Sequence, residues 1–339
     1  MSIRGLGKVL LFIGLVLFVS GCDDDSSSVA NSQDDLGASS FSGIYLRRTP
    51  SDNGQYNASL ATSAQSPDII LSGNHPVSDP SGEFGTNSSY ESGSPGASLI
   101  NGQINYIYVR AKNLSSFPVR ANVYLYYAPA GLVLTPDQWK NNLITTVSGS
   151  DHISLSASSQ GGIAVTDEPF YFIPPESSGH LSLVAFLVDP EHPGSIIDPL
   201  TSDEYISFAA QSKIAFRTMV NAATTAPVVM ETFNFSNPDQ KDSRFLFKIT
   251  SSGLPSGSYV SLSGGSDGAA VAIPKTHVTG SEFSTSTEVT LPAGFKSALS
   301  VSIYAGASGF PKGASVVASQ HVVSGRSTRL LGDATIVFN

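Results

Sequence analysis

Gly264-Gly265-Ser266-Asp267-Gly268 spells a nucleophile elbow, the G-x-S-x-G turn that lifts a serine above a sheet. Such a serine needs a strand before it and a helix after it, so that adjacent N–H groups can stabilise an oxyanion. Ser258–Ser263 supplies the strand, but Ala269-Ala270-Val271-Ala272-Ile273-Pro274 follows, which is a second strand ended by proline. Glycine-rich residues between two strands make a hairpin loop. His277 and His321 have no neighbouring carboxylate in sequence to orient either of them as a base. Asp189, Glu191, His192 and Asp198 form the densest set of ligand types, and hard oxygens at a strand end would suit Ca²⁺. No D-x-D-x-D-G loop accompanies them, so an acidic turn bracketed by prolines is the simpler account. Asp167, Glu168 and Glu176 flank Phe170-Tyr171-Phe172, and glycosidases use carboxylate pairs across a cleft, yet carboxylates beside strand ends are ordinary. The six His residues form no H-E-x-x-H and no close pair. The expectation is therefore no catalytic residue, no metal, no cofactor and no enzymatic activity.

Aromatic residues carry a different chemistry. Tyr106, Tyr108, Tyr124 and Tyr126 stand at alternate positions of two strand-like runs. If those runs pair, four rings line one sheet face, a binding surface for a protein or a sugar because Tyr offers apolar area and a hydroxyl. In the alternative the tyrosines fill the core and Ile107, Val109, Val123 and Leu125 face elsewhere. Both sets are internal only where a further element covers the outer face, and this excess of apolar positions points to a buried interface, with a second domain or a partner.

The elements that would position these residues read as strands. Ile104–Arg110 and Val123–Tyr127 alternate with a period of two and are rich in β-branched and aromatic residues. The Asn/Ser/Pro-containing stretch 112–118 between them suits a hairpin or an inter-sheet turn. Asp68–Leu71, His152–Leu155, Gly162–Thr166, Leu181–Val188 and Tyr205–Phe208 are further strand candidates. In Leu181–Val188 one face holds Leu181, Leu183, Ala185 and Leu187 and the other Val184, Phe186 and Val188, a strand buried on both sides. A single turn at Pro136–Lys140, with Thr135 as N-cap, is the best helical candidate. Residues 217–232 are expected to be a linker. Beyond them Phe245–Ile249, Tyr259–Leu262, Ala270–Ile273, Glu288–Leu291, Leu299–Tyr304, Val316–Val323 and Thr335–Phe338 give seven strands in about 105 residues, the spacing of an immunoglobulin-like sandwich. The chain's 339 residues suffice for two domains of roughly 150 each. The expected fold is all-β, two Ig-like antiparallel β-sandwich domains at 41–216 and 233–339, following a signal peptide and a disordered tether.

Charge and cysteine content narrow the partners. With 18 Lys+Arg against 27 Asp+Glu, a net charge of −9 offers no basic surplus for nucleic acid. One Cys excludes an intrachain disulfide framework and a cysteine-based zinc site. Arg4 and Lys8 precede the apolar run Val9–Val19, the layout of an export signal, and the run is too short for a permanent span at 1.5 Å per residue. Residues 23–40, rich in Asp and Ser, have no core to bury and read as a flexible tether.

Val19-Ser20-Gly21-Cys22 resembles a bacterial lipobox. That resemblance implies cleavage after residue 21, acylation of Cys22 and a palmitate-type membrane anchor, on the periplasmic face of the inner membrane, at the outer membrane or at the cell surface. Ser66–Ile70, Asn105–Asn113, Ala121–Ala128, Leu134–Trp139 and Val184–Pro193 together look like an Ig-like accessory module of secreted bacterial hydrolases and surface proteins. Tyr127 stands where such modules often carry Trp, and Leu114 where Gly is usual. The module's role is packing and binding. The reading is a non-catalytic, lipid-anchored cell-envelope binding or scaffold protein with a protein partner. The alternatives are a carbohydrate-binding surface lipoprotein, a subunit of an envelope secretion or appendage complex, and an envelope hydrolase with a site assembled from distant residues.

Overall fold

A computed structural model describes residues 42–55, 61–92, 98–158, 160–176, 179–191, 196, 198–199, 201–211, 213–266, 268–306 and 309–339. The signal-like segment, Cys22 and the tether lie outside the described residues, as does His192. In chain order the first half forms β1 (Ile44–Tyr45), β2 (Ile69–Gly73), α1 (Pro80–Phe84), α2 (Asn87–Ser92), β3 (Asn105–Asn113), β4 (Val119–Pro129), α3 (Pro136–Trp139), β5 (Leu143–Ile144), β6 (Ile153–Ala157), β7 (Ile163–Val165), β8 (Phe170–Phe172), β9 (Leu181–Val188), α4 (Ser202–Ala209) and β10 (Ile214–Arg217). The second half forms β11 (Met219–Ala222), β12 (Val228–Ser236), β13 (Ser243–Ser252), β14 (Tyr259–Gly264), β15 (Val271–His277), β16 (Glu282–Leu291), β17 (Lys296–Tyr304), β18 (Ser315–Ser324) and β19 (Ser327–Phe338). The chain is all-β in class, with four short helices among the described residues on sandwich-type layers.

The first sandwich stacks β1–β3–β2, with β7 and β8 also pairing β3, on β10–β9–β4–β5, with β6 also pairing β4. Strand alternation decides what lies between the sheets. Ile107, Val109 and Ala111 of β3 share one core with Ala121, Val123 and Leu125 of β4 and with Leu183, Ala185 and Leu187 of β9. Val184 and Phe186, on the opposite face of β9, belong to a second core that continues into the other sandwich. β9 is therefore buried on both faces.

The second sandwich stacks β11–β19–β18–β13–β16 on β12–β17–β14–β15. Phe233 and Phe235 of β12 meet Phe245 and Phe247 of β13 in its interior, and Phe235 and Phe247 cross edge-to-face at 5.2 Å. Each such ring removes roughly 150–250 Å² from water, the main source of stability here.

Two expectations need correction. Residues 217–232 are strand over most of their length, because β11 pairs parallel with β19 and β12 pairs antiparallel with β17. The chain passes between sandwiches through Thr218 alone, which is fully buried. Thr218 donates its N–H to Ala64 O at 2.8 Å, accepts from Thr335 N at 3.0 Å and meets the Ser182 hydroxyl at 2.6 Å. Tyr205–Phe208 is not a strand but the body of α4. Thr201 Oγ1 accepts from Glu204 N and so caps that helix, and Tyr205, Ile206, Phe208 and Ala209 are buried.

Candidate binding surfaces

The four tyrosines do not share a face. β3 and β4 lie in different sheets, and the inner faces of both carry the aliphatic residues. The tyrosines point to the two outer faces instead, and different elements cover them. Tyr108 is 0% exposed, packs 5.5 Å from Phe84 of α1 and accepts from Val77 N at 2.9 Å. Its phenol pKa is raised by burial. Tyr126 is 7% exposed, stacks 5.1 Å from Trp139 of α3, and burial pushes its hydroxyl up to about 12. Tyr124 is half-buried beside His152 at 5.3 Å.

Tyr106 is half-buried too, and no helix of the described residues packs its ring. It pairs across the sheet with Tyr171 of β8, the rings 5.9 Å apart and inclined at 62°. Gly73 lies opposite Tyr106 on β2, and a Cβ there would meet open space. Asn105 fastens the adjoining loop, accepting from Ile100 N at 2.8 Å and donating to Ile100 O at 2.9 Å, while Gly102 N donates to Pro174 O at 2.8 Å. Ile100, in the loop that Asn105 fastens, and Ile173, two residues after Tyr171, are 41% and 47% exposed. The result is an aromatic and aliphatic patch on the outer face of the first sheet, its loop held by the Asn105 side-chain amide and by the Gly102–Pro174 backbone bond.

Beside it a charge cluster is buried beneath α1 and α2. Asp68 Oδ1 accepts from Arg47 Nη2 at 2.6 Å and from Arg110 Nε at 3.0 Å, and Oδ2 accepts from Arg47 N at 2.8 Å. Arg47 Nη1 donates to Tyr90 O at 2.8 Å, and Arg110 donates to Ser89 O at 3.0 Å and Pro67 O at 3.2 Å. The Tyr90 ring lies 3.4 Å from the Arg47 guanidinium, with Lys112 Nζ at 4.7 Å. Desolvation opposes the Arg47 charge, but the hydrogen bond and attraction of Asp68 outweigh it and raise the pKa. These groups spend their valences on one another and on backbone carbonyls, so the cluster fixes the helical lid onto the sheet. The segments holding Asp68 and Arg110 stood out in sequence as strand-like. The sequence signal for the ion pair was a charge in each, on the face that the helices later cover.

A second buried carboxylate joins the sandwiches. Asp333 of β19 accepts from Ala64 N at 2.6 Å, Ser63 Oγ at 2.9 Å and Gln65 Nε2 at 2.9 Å, and burial raises its pKa despite these bonds. Next to it Gly332 touches the backbone of Leu132, where a Cβ would lie 2.6 Å from the carbonyl carbon and overlap the oxygen. Between α4 and the β12–β13 and β18–β19 connections runs a groove of about 620 Å³, lined by Asp203, Asp239, Asp242, Lys241, Arg244 and Arg329 among others. Several of its charged groups are engaged: Arg329 pairs with Asp203, Arg244 with Glu288 outside the groove at 2.5 Å, and Asp239 accepts from Ser202 N at 2.6 Å.

The residues singled out for catalysis lie apart. Ser266 sits in the β14–β15 hairpin loop, where Ala269 N donates to Ser266 O at 2.9 Å, and no helix follows. His277 packs on Tyr259 at 5.1 Å, and His321 meets Ser319 Oγ at 3.0 Å. Asp189 accepts from Glu191 N at 2.9 Å, whereas Asp198 pairs with Lys140. Glu168 accepts from Ser148 Oγ at 3.1 Å. Among the described residues no three His, Cys, Asp or Glu side chains gather closely enough to hold a metal ion.

No protein-family model matches this chain, and no curated protein matches it. Solved structures with some likeness include a red sea bream transglutaminase, 13% identical at a TM-score of 0.21 over 72% of this chain and 30% of that one. The chain thus spans less than a third of that enzyme's length. The collagen adhesin of S. aureus is 10% identical, with a TM-score of 0.23 over 71% of this chain and 88% of that chain. The CupB6 tip adhesin of Pseudomonas aeruginosa is 11% identical, with a TM-score of 0.19 over 71% of this chain and 91% of that chain. No family is assigned.

Proposed function

We propose that this chain is a non-catalytic binding protein of the cell envelope, tethered to a membrane through acylated Cys22, whose outer-face patch around Tyr106 and Tyr171 docks a protein partner. The observation that carries the reading is that patch. Two half-buried rings on the sheet and the exposed Ile100 and Ile173 at its end make up the patch, and tyrosine-rich apolar surface with a polar tip is what interface centres use. A carbohydrate platform is the weaker reading, because rings inclined at 62° offer no flat strip for a sugar to stack on. The lipobox-like residues and the acidic, serine-rich tether support anchoring, with the acyl chains raising the local concentration of the patch near the membrane.

The two halves of the proposal are tested apart. In membrane fractionation the wild type sediments with membrane and Cys22→Ser does not; equal behaviour refutes the anchor. In crosslinking pulldowns of the full chain, Tyr106→Ala with Tyr171→Ala loses the captured protein while Tyr124→Ala retains it. Capture that survives the double variant refutes the patch.

A further inference from the structure

We propose that β16 pairs antiparallel with β16 of a second copy of this chain about a two-fold axis through Ser286, joining two five-stranded sheets into one. β16 is an edge strand, paired with β13 along all ten residues without a bulge. Among the described residues, no other backbone hydrogen bond reaches residues 282–290. An edge strand turns alternate N–H and C=O groups outward, and proteins normally blunt such edges with Pro, bulges or charged side chains, Lys above all. The charged residues of β16 are Glu282 and Glu288 only, the latter neutralised by Arg244. The other long edges of this sandwich show these devices or a cover. β15 contains Pro274 and Lys275 and is bulged against β14. β12 is crossed at Asn234 by residues 130–132, through Leu132 N to Asn234 O at 2.8 Å and Asn234 N to Ala130 O at 2.9 Å. β16 has neither Pro nor Lys, and its sequence Glu-Phe-Ser-Thr-Ser-Thr-Glu-Val-Thr-Leu is rich in strand-forming Thr.

The strand is also complementary to itself. Phe283 and Val289 are partly buried on its inner face, packed at the margin of the core. Pairing Ser286 with its own copy sets Phe283 against the partner's Val289, Thr285 against the partner's Thr287, and Ser284 against the partner's Glu288, rows that favour antiparallel pairing. Glu282 then lies opposite the partner's Thr290 and diagonal to the partner's Glu288, whose charge Arg244 already pairs at 2.5 Å. Neighbouring registers are worse. Centring on Thr285 sets Glu282 against Glu288 twice, and centring on Thr287 sets Phe283 against Leu291, which is already fully buried. Charge and side-chain fit together select one register. Edge pairing alone buries less than a standard interface, so the association is weak and concentration-dependent.

Single cysteines placed in the full chain carrying Cys22→Ser test the register. Ser286→Cys brings two thiols face to face across the axis, with Cβ atoms about 4.5–5.5 Å apart. Ser284→Cys leaves them about 14 Å apart along the strands at ~3.4 Å per residue. Both serines are exposed on the outer face, and an unchanged urea midpoint verifies that each variant is folded. Mild oxidation or a short bismaleimide is expected to yield a covalent dimer from Ser286→Cys and at least tenfold less from Ser284→Cys. Equal yields mark random collision, and no dimer from either marks an edge that does not meet itself. Both results overturn the proposal.

Discussion

Replacing Asp68 by Ala removes the anion shared by Arg47 and Arg110, all three side chains being 2% exposed or less. The arithmetic favours a large loss. Breaking one buried ion pair by deleting a partner costs about 3–5 kcal/mol, because the surviving charge stays in the interior without compensation. Here two guanidiniums survive, and Arg47 N loses its acceptor at 2.8 Å as well, a buried donor worth about 1–3 kcal/mol when left unsatisfied. The terms overlap, so about 4–6 kcal/mol is expected, a large share of the roughly 5–15 kcal/mol that folded chains possess. The triple variant Arg47→Met, Asp68→Leu, Arg110→Met removes every charge together and is expected to cost much less than Asp68→Ala alone. Urea denaturation followed by fluorescence of Trp139, the sole tryptophan, reads both variants. Added salt leaves the ranking unchanged, since groups this deep are poorly screened. An Asp68→Ala midpoint corresponding to a loss under about 1 kcal/mol, or a triple variant weaker than the single one, refutes the view that the cluster holds the helical lid by compensated charge.

Two further predictions concern the second sandwich. Gly332→Ala forces its Cβ into the Leu132 carbonyl, so the segment must move away from β19; a loss of about 1–3 kcal/mol by urea titration is expected, and Gly325→Ala, with open space at its Cβ but a positive φ of 60°, costs less. Burial, helped by Lys248, lowers the His321 pKa to about 4, so between the ordinary value near 6.5 and 4 the folded state binds fewer protons than the unfolded one. The stability due to neutral His321 is full above about pH 6.5 and is lost as pH falls towards 4, and His321→Gln flattens this slope in urea midpoints compared at pH 7 and 4.5.

Period-two patterning made most of the strands legible, and Leu181–Val188 shows why. Its two apolar rows could be read directly, and each row found a separate core. The same reading misassigned Tyr205–Phe208, since Tyr-Ile-Ser-Phe satisfies both periods over so short a window. The cap at Thr201 and the acidic first turn at Asp203 and Glu204 were the stronger signal for a helix. Residues 217–232 lack the Gly/Pro clusters of a true linker, and a connection of one buried residue leaves no compositional trace. The tyrosine rows were visible but their neighbours were not. β3 and β4 are joined by a short Asn/Ser/Pro stretch, and only pairing partners distant in sequence decide that this stretch passes between sheets rather than closing a hairpin. Likewise nothing local links Arg47 to Asp68, twenty-one residues away, or Asp333 to Ser63 across almost the whole chain.

The allocation of charge explains why recognition rather than chemistry is proposed. A catalytic carboxylate or base needs a free valence directed at solvent or substrate. Asp68 gives its oxygens to two guanidiniums and a backbone N–H, and Asp333 gives its own to three donors from residues 63–65. Both carboxylates are spent on holding strands, lid and sandwiches in place, and the Thr218 crossing keeps those sandwiches from hinging through a flexible linker. The two surfaces proposed for recognition are of another kind: an apolar patch with phenol tips on one sandwich and a strand edge without Pro, Lys or bulge on the other. As proposed binding surfaces both would act by surface fit and backbone hydrogen bonding, which gain from rigidity because little conformational entropy remains to be lost on docking.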